Sequence, residues 1–185
     1  SDLTGDNPDG SAELHVFDTT TETLDQVTSS VAGPNGGGSA GILRFTDNGA
    51  TLLFSSDAAV LGTNPTRAFL DYRYDVTTAT VSSAPSPPFD LAGPGLGAWS
   101  PDGTRFQVAS SEDPTGSNPE GNPELFSFDS VGGDLTQLTS VASSVHGSAS
   151  GRSMSSNGTT IAFRATANLL GDNPDHNREI YLATT

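Results

Sequence analysis

The chain contains no cysteine and no lysine, one methionine and one tryptophan. It also has no apolar run near the ~18 residues that a membrane helix needs. Without cysteine there is no disulfide framework, no thiolate metal site and no cysteine nucleophile. Without lysine, 7 arginines face 22 Asp and Glu, a net charge of −15 over 185 residues. Such an anion is a poor match for phosphate backbones, which demand clustered cations, and for anionic lipid surfaces. Neither nucleic acid nor membrane insertion is expected. The charge suits cation binding, high solubility or a salt-rich habitat. No charged region followed by an apolar run opens the chain, so these residues carry no signal peptide.

What is abundant is equally directive. There are 21 Gly and 12 Pro, with many Ser and Thr. Gly and Pro break helices, and the remaining Thr, Val and Phe suit pleated strands, so the expectation is an all-β fold. The fragment Gly-x-Asn-Pro recurs with its glycine at 5, 62, 116 and 171, steps of 57, 54 and 55 residues. A second marker, "TDNG", "SPDG" and "SSNG", ends at Gly49, Gly103 and Gly158, steps of 54 and 55. Two independent markers with one period define a structural repeat.

Within each period the strand signals keep a fixed order. A first strand ends at the Asp/Asn-Gly turn and a second follows at once, as in "GILRFTDNG" then "ATLLFSS". Asn-Gly and Asp-Gly between apolar runs are a strong hairpin signal, because both turn residues tolerate positive φ. After the Gly-x-Asn-Pro loop comes a third strand, "ELHVFD" (13–18), "FLDYRYD" (69–75), "ELFSFD" (124–129) and "EIYLAT" (179–184). Its alternation predicts one buried and one wet face. "LDQVTS", "TVSSAP" and "LTQLTS" supply a fourth strand, and a Gly/Ser/Pro-rich link leads on.

Four antiparallel strands per unit, linked in series, describe the blade of a β-propeller. "AWSPDGTRFQVAS" at 98–110, with "LFSFDSVGGDLTQLT" at 125–139, resembles the WD40-like (PD40), TolB-type propeller repeat. The resemblance covers essentially the whole chain at blade level, although only one unit has the full Trp-Ser-Pro-Asp-Gly. The unit at 46–98 departs most, with "SSAPSPPFD" where "LTQLT" belongs. The expected organisation is a partial blade at 1–45 (strands three and four plus link), blades at 46–98 and 99–152, and a partial blade at 153–185. That makes thirteen strands, or about three to three and a half blades, whereas propellers close with roughly 4–8. An excerpt of a longer propeller, or copies completing one another, is expected.

The acidic loops are the candidate metal sites. Aligned on Asn-Pro they offer Asp6, Asn7, Asp9 and Glu13; Asn118, Glu120 and Glu124, the weaker set; and Asp172, Asn173, Asp175 and Glu179. The unit at 62–70 keeps Asn64 but has Thr63, Thr66 and Leu70 at the acidic positions. Calcium takes six to eight hard oxygens on a flexible loop, and these residues supply several without a soft ligand. The competing reading is a turn: Asn and Asp bond their own backbone, and Asn-Pro initiates turns.

Catalytic signals are weak. His15, His146 and His176 are the only imidazoles. His15 reads as packed or at the surface. His176 sits in the last acidic loop, where a ligand role is conceivable. Gly37-Gly38-Ser39-Ala40-Gly41 fits Gly-x-Ser-x-Gly, but no helix follows to make a nucleophile elbow. The sequon at Asn157 coincides with a hairpin turn, and Trp99 is expected to be buried between blades.

The leading expectation is a non-enzymatic propeller module, secreted, cell-surface or periplasmic, whose partners are other proteins, as the resemblance implies, or further copies of itself. The alternatives are the propeller part of a larger peptidase or hydrolase, or a structural subunit that polymerises by strand exchange.

Overall fold

The structure, a computed structural model, describes residues 3–8, 10–30, 40–62, 64, 69–85, 97–141 and 150–185. Thirteen strands form four antiparallel sheets among them. The first pairs β1 (His15–Asp18) with β2 (Thr23–Gln26). The second runs in order β3 (Ala40–Phe45), β4 (Thr51–Ser56), β5 (Leu70–Asp75) and β6 (Thr80–Ser83). The third is β7 (Gly97–Trp99), β8 (Arg105–Ser110), β9 (Glu124–Asp129) and β10 (Leu135–Gln137). The last is β11 (Ser150–Met154), β12 (Thr160–Ala165) and β13 (Glu179–Thr184). The second, third and last sheets open at Ala40, Gly97 and Ser150. Strands β1–β6 belong to one compact unit and β7–β13 to a second.

Each unit is held by the same residues packing one sheet on the next. In the first, Leu14, Val16 and Val27 pack against Leu52, Phe54, Tyr72 and Tyr74. In the second, Leu125 and Leu138 pack against Ile161, Phe163, Tyr181 and Ala183. The ring pairs are equivalent: Phe54–Tyr72 stack at 5.3 Å and Phe163–Tyr181 at 5.8 Å. Each tyrosine hydroxyl then donates to a loop carbonyl, Ala58 O at 3.4 Å or Ala167 O at 2.9 Å. A buried Leu, Ile or Phe contributes about 1.5–3 kcal/mol, so these clusters are the main source of stability in each unit.

The expected alternation holds in β13, where Tyr181 is buried between exposed Ile180 and Leu182. It fails in β9, which is buried from Glu124 to Phe128. Leu125 faces the last sheet, while Phe126 and Phe128 share the opposite face with Phe106 and Trp99, whose rings are 5.1 Å apart. A strand covered on both faces has no wet side to mark in sequence. Trp99 is 1% exposed, as its apolar strand implied.

The Asn/Asp-Gly turns differ from the two-residue hairpin in one respect. Only Gly49, Gly103 and Gly158 take positive φ, at 68°, 74° and 68°. The preceding Asn or Asp instead turns its side chain back on the loop. Asn48 Oδ1 accepts from Thr46 Oγ1 at 2.8 Å, and Asp102 Oδ1 from Ser100 Oγ at 2.7 Å. Asn157 Oδ1 accepts from Ser155 Oγ at 2.9 Å and from Thr159 N at 3.2 Å. This self-bonding explains why Ser/Thr-x-Asn/Asp-Gly recurs.

Candidate functional site

The asparagine of every Gly-x-Asn-Pro loop turns inward. Asn7, Asn118 and Asn173 are 4%, 2% and 2% exposed. The Nδ2 of each donates to the carbonyl four residues on, at Ser11 (2.7 Å), Asn122 (2.8 Å) and Asn177 (3.0 Å). In the second sheet Asn64 Nδ2 donates to Asp57 O at 3.0 Å. The amide therefore ties the loop into a turn, which is why this residue appears in all four units.

The glutamate that precedes or heads strand three has a different partner set from the one a metal loop requires. Glu124 is 1% exposed. Its Oε2 accepts from Thr139 Oγ1 at 2.5 Å and its Oε1 from Val141 N at 2.6 Å. Glu13 repeats the arrangement, with Oε2 accepting from Thr28 Oγ1 at 2.5 Å and Oε1 from Ser30 N at 2.8 Å. Burial alone would raise the Glu13 carboxyl, but bonds from Ser11, Thr28 and Ser30 outweigh it and hold the group below the usual glutamate range.

Around each glutamate the same clasp is built. The threonine hydroxyl oxygen accepts from the residue after the glutamate, Leu14 N at 2.9 Å or Leu125 N at 2.8 Å. The carbonyl two residues past the threonine is held by Ser11 Oγ on Ser30 O at 2.9 Å, or by Asn122 Nδ2 on Val141 O. Two residues before the threonine, Gln26 and Gln137 accept from Thr4 and Thr115 at 2.9 and 3.0 Å. Strand four and its outgoing link are thus fastened to the acidic loop. Sequence reasoning missed Thr28, Thr139, Gln26 and Gln137, although one signal was available. The second unit has Leu61, Ala68, Leu70, Ser83 and Pro85 at the corresponding places, so every member changes together.

The other candidates are scattered. Asp6, Glu120, Asp172, Asp175 and Glu179 are exposed, and Asp9 lies outside the described residues. Among the described residues no three His, Asp or Glu side chains form a group that could hold a metal ion. His15 Nδ1 lies 3.3 Å from Glu13 O, His176 is exposed, and His146 and residues 37–39 of the Gly-x-Ser-x-Gly match lie outside the described residues.

The last sheet repeats the loop side of the clasp, and among the described residues no fourth strand pairs with β13. Glu179 is exposed, and Asn177 turns its Nδ2 to Asp175 Oδ2 at 2.9 Å. Ile180, at the position of Leu125, is 75% exposed whereas Leu125 is fully buried. With Leu170 and Leu182, 76% and 73% exposed, it borders a groove of about 500 Å³ that Asp172, Glu179 and Tyr181 complete.

No family model and no curated protein matches the sequence. Solved structures do match. Oligogalacturonate lyase from Vibrio parahaemolyticus superposes with a TM-score of 0.56 at 13% identity, over 92% of this chain and 41% of that one. The tricorn protease gives 0.51 at 9% identity, over 86% of this chain and 14% of that one. TolB from Acinetobacter baumannii gives 0.49 at 19% identity, over 95% and 38%. These neighbours are TolB-type and other β-propeller proteins. The chain has a β-propeller fold. It spans about two fifths of the length of the first matched structures, at 38%, 40% and 41%. The four sheets are then propeller blades, and the clasp fastens the outermost strand of a blade to the loop between its second and third strands. No helix among the described residues is long and apolar enough to cross a membrane.

Proposed function

We propose that the chain is a non-enzymatic propeller module of the cell surface, periplasm or extracellular space that binds or scaffolds proteins. What supports this is the third blade, where "AWSPDGTRFQVAS" and "LFSFDSVGGDLTQLT", which resemble the TolB-type repeat, fold as the four-stranded sheet β7–β10. The test is capture of protein partners by the immobilised folded chain against the same chain unfolded by heat. A partner retained by the folded chain alone supports the reading, and retention of none removes it.

A second reading makes this the propeller part of a larger hydrolase or peptidase, supported by a lyase and a protease among the matched structures. Turnover of oligogalacturonate or of a peptide by the purified chain would establish that chemistry lies within these residues; the expected rate is the buffer blank. The calcium reading narrows to the exposed carboxylates Asp172, Asp175 and Glu179. Chelation that lowers the melting temperature of the wild type, but not of an Asp172→Ala/Asp175→Ala variant, supports it, and indifference removes it.

A further inference from the structure

We infer that the groove along the outer strand of the first sheet, β2, binds an arginine side chain presented by a partner protein. Asp6, Asp25 and Tyr74 hold the guanidinium, and Leu3 and Leu24 face its aliphatic stem. The inference rests on the protein-binding reading and deepens it by naming the surface and the chemistry it recognises.

The groove holds about 490 Å³ and lies wholly within the first compact unit, lined by the acidic loop before β1, by β2 and by Tyr74 of β5. Its frame is fixed by hydrogen bonds. Thr4 Oγ1 donates to Gln26 Oε1 at 2.9 Å, and Gln26 Nε2 donates to Thr28 O at 2.9 Å, so both ends of that amide are occupied. Three polar groups beside the frame are unmet. Asp6 and Asp25 are exposed, with no ion pair or hydrogen bond among the described residues. Tyr74 is only 3% exposed, yet it lines the groove, and its hydroxyl has no hydrogen bond among the described residues. A buried hydroxyl without a partner is costly, so a ligand that supplies one is favoured. Burial, and then the charges of Asp25 and Asp75, push the phenol up, so it stays neutral beside the carboxylates.

A cation with several directed donors satisfies all three groups. A guanidinium carries its N–H donors in a planar fork, enough for two carboxylates and the phenol oxygen, whereas an ammonium is a compact point charge. Leu3 and Leu24, 62% and 37% exposed, offer apolar surface to the methylene stem. A metal ion fits less well, because calcium takes more oxygens than two carboxylates supply and no three His, Asp or Glu side chains meet among the described residues. The third blade is the control. Thr115 Oγ1 donates to Gln137 Oε1 at 3.0 Å in the same lock, with all four strands of that blade in place, so the frame belongs to the blade itself. There Ser117 and Thr136 stand for Asp6 and Asp25, and Ala183 of the following sheet stands for Tyr74. The lock recurs, but the charge and the phenol are confined to the first groove.

The test is an NMR titration of the isotope-labelled chain with an end-blocked Gly-Gly-Arg-Gly-Gly peptide, and with the same peptide carrying lysine or citrulline, the neutral isostere of arginine. The expected result is saturable amide shifts confined to residues 3–6, 24–26, 74 and 79, with a Kd on the order of 1 mM. Citrulline should bind about tenfold more weakly or worse, and lysine about threefold more weakly. Asp6→Asn and Asp25→Asn should each cost about tenfold in affinity and Tyr74→Phe about threefold or more. Tyr74→Phe keeps the core, since Phe128 fills the same place in the third blade. Glu22→Gln, which removes an exposed carboxylate of the β1–β2 turn outside the groove, should change nothing. Absence of a saturable shift overturns the inference. So does equal binding of citrulline or lysine, or a loss in Glu22→Gln as large as that in Asp25→Asn. Each of these leaves the protein-binding reading to be decided separately, by capture on the folded chain.

Discussion

The third blade, Gly97–Gln137, and the second, Ala40–Ser83, share strand order and the buried or half-buried loop asparagine, yet only the third fastens its outer strand through a buried carboxylate. In the second, Leu70 is 40% exposed at the glutamate position and Pro85 has no hydroxyl to offer. The scaffold therefore needs Gly-x-Asn-Pro in every blade, while the Glu–Thr pair is an addition present or absent as a unit. Glutamates 13 and 124 belong to that addition, and their oxygens already hold hydroxyl and amide donors of the chain itself.

The largest expected effect is at the buried carboxylate. Glu124→Ala orphans Thr139 Oγ1 and Val141 N and should cost about 3 kcal/mol, or roughly 6–12 °C in melting temperature. Leu70→Ala, at the same place in the unclasped blade, should cost under about 1 kcal/mol. Equal losses in circular-dichroism melts would erase the distinction between the blades.

The turns offer a second contrast. A Cβ at Gly158 would lie 2.8 Å from Arg105 Cβ and 2.9 Å from Ser100 Cβ, whereas one at Gly49 meets nothing within 4 Å. Both glycines have φ of +68°. Gly49→Ala should therefore show only the left-handed backbone cost of about 1–2 kcal/mol, and Gly158→Ala that cost plus about 1 kcal/mol or more of overpacking. Chemical denaturation of both variants checks the order.

Acid should act through Glu13. Its folded-state acidity is raised, so its stabilisation is complete above the unfolded value of about 4.3 and is lost as pH falls through the lower folded value. Urea midpoints between about pH 3 and 6 should fall with acid in the wild type, and less steeply in Glu13→Gln. A parallel decline would assign the acid sensitivity to exposed carboxylates such as Asp18, whose acceptance of the Thr20 and Thr21 amides also holds it low. The smallest effect belongs to Glu179→Ala, within about 0.5 kcal/mol, because that carboxylate is exposed.

Much of this was legible in sequence, and the limit has a physical basis. Strand order, the hairpin turns and the all-β fold follow from short-range signals repeated at one period, so "EIYLAT" is β13 residue for residue. The loop asparagines and their carboxylate neighbours read both as turn formers and as calcium ligands. A local window cannot separate the two, since the strand-four and link partners that Glu13 and Glu124 share lie 15 to 17 residues downstream, across a strand. Only the joint replacement of Glu and Thr by Leu70 and Pro85 records the pairing in the sequence. The loss of alternation in β9 was hidden for a similar reason, because covering one sheet with another is a tertiary event.

The most direct measurement is a double-mutant cycle on Glu124 and Thr139, using Glu124→Leu, Thr139→Val and the pair. If the clasp is real, each single change leaves a buried polar partner orphaned and the pair recovers much of the loss, giving a coupling of about 1–2 kcal/mol. Additive losses, or losses that vanish on adding a metal chelator to the wild-type reference, would contradict it.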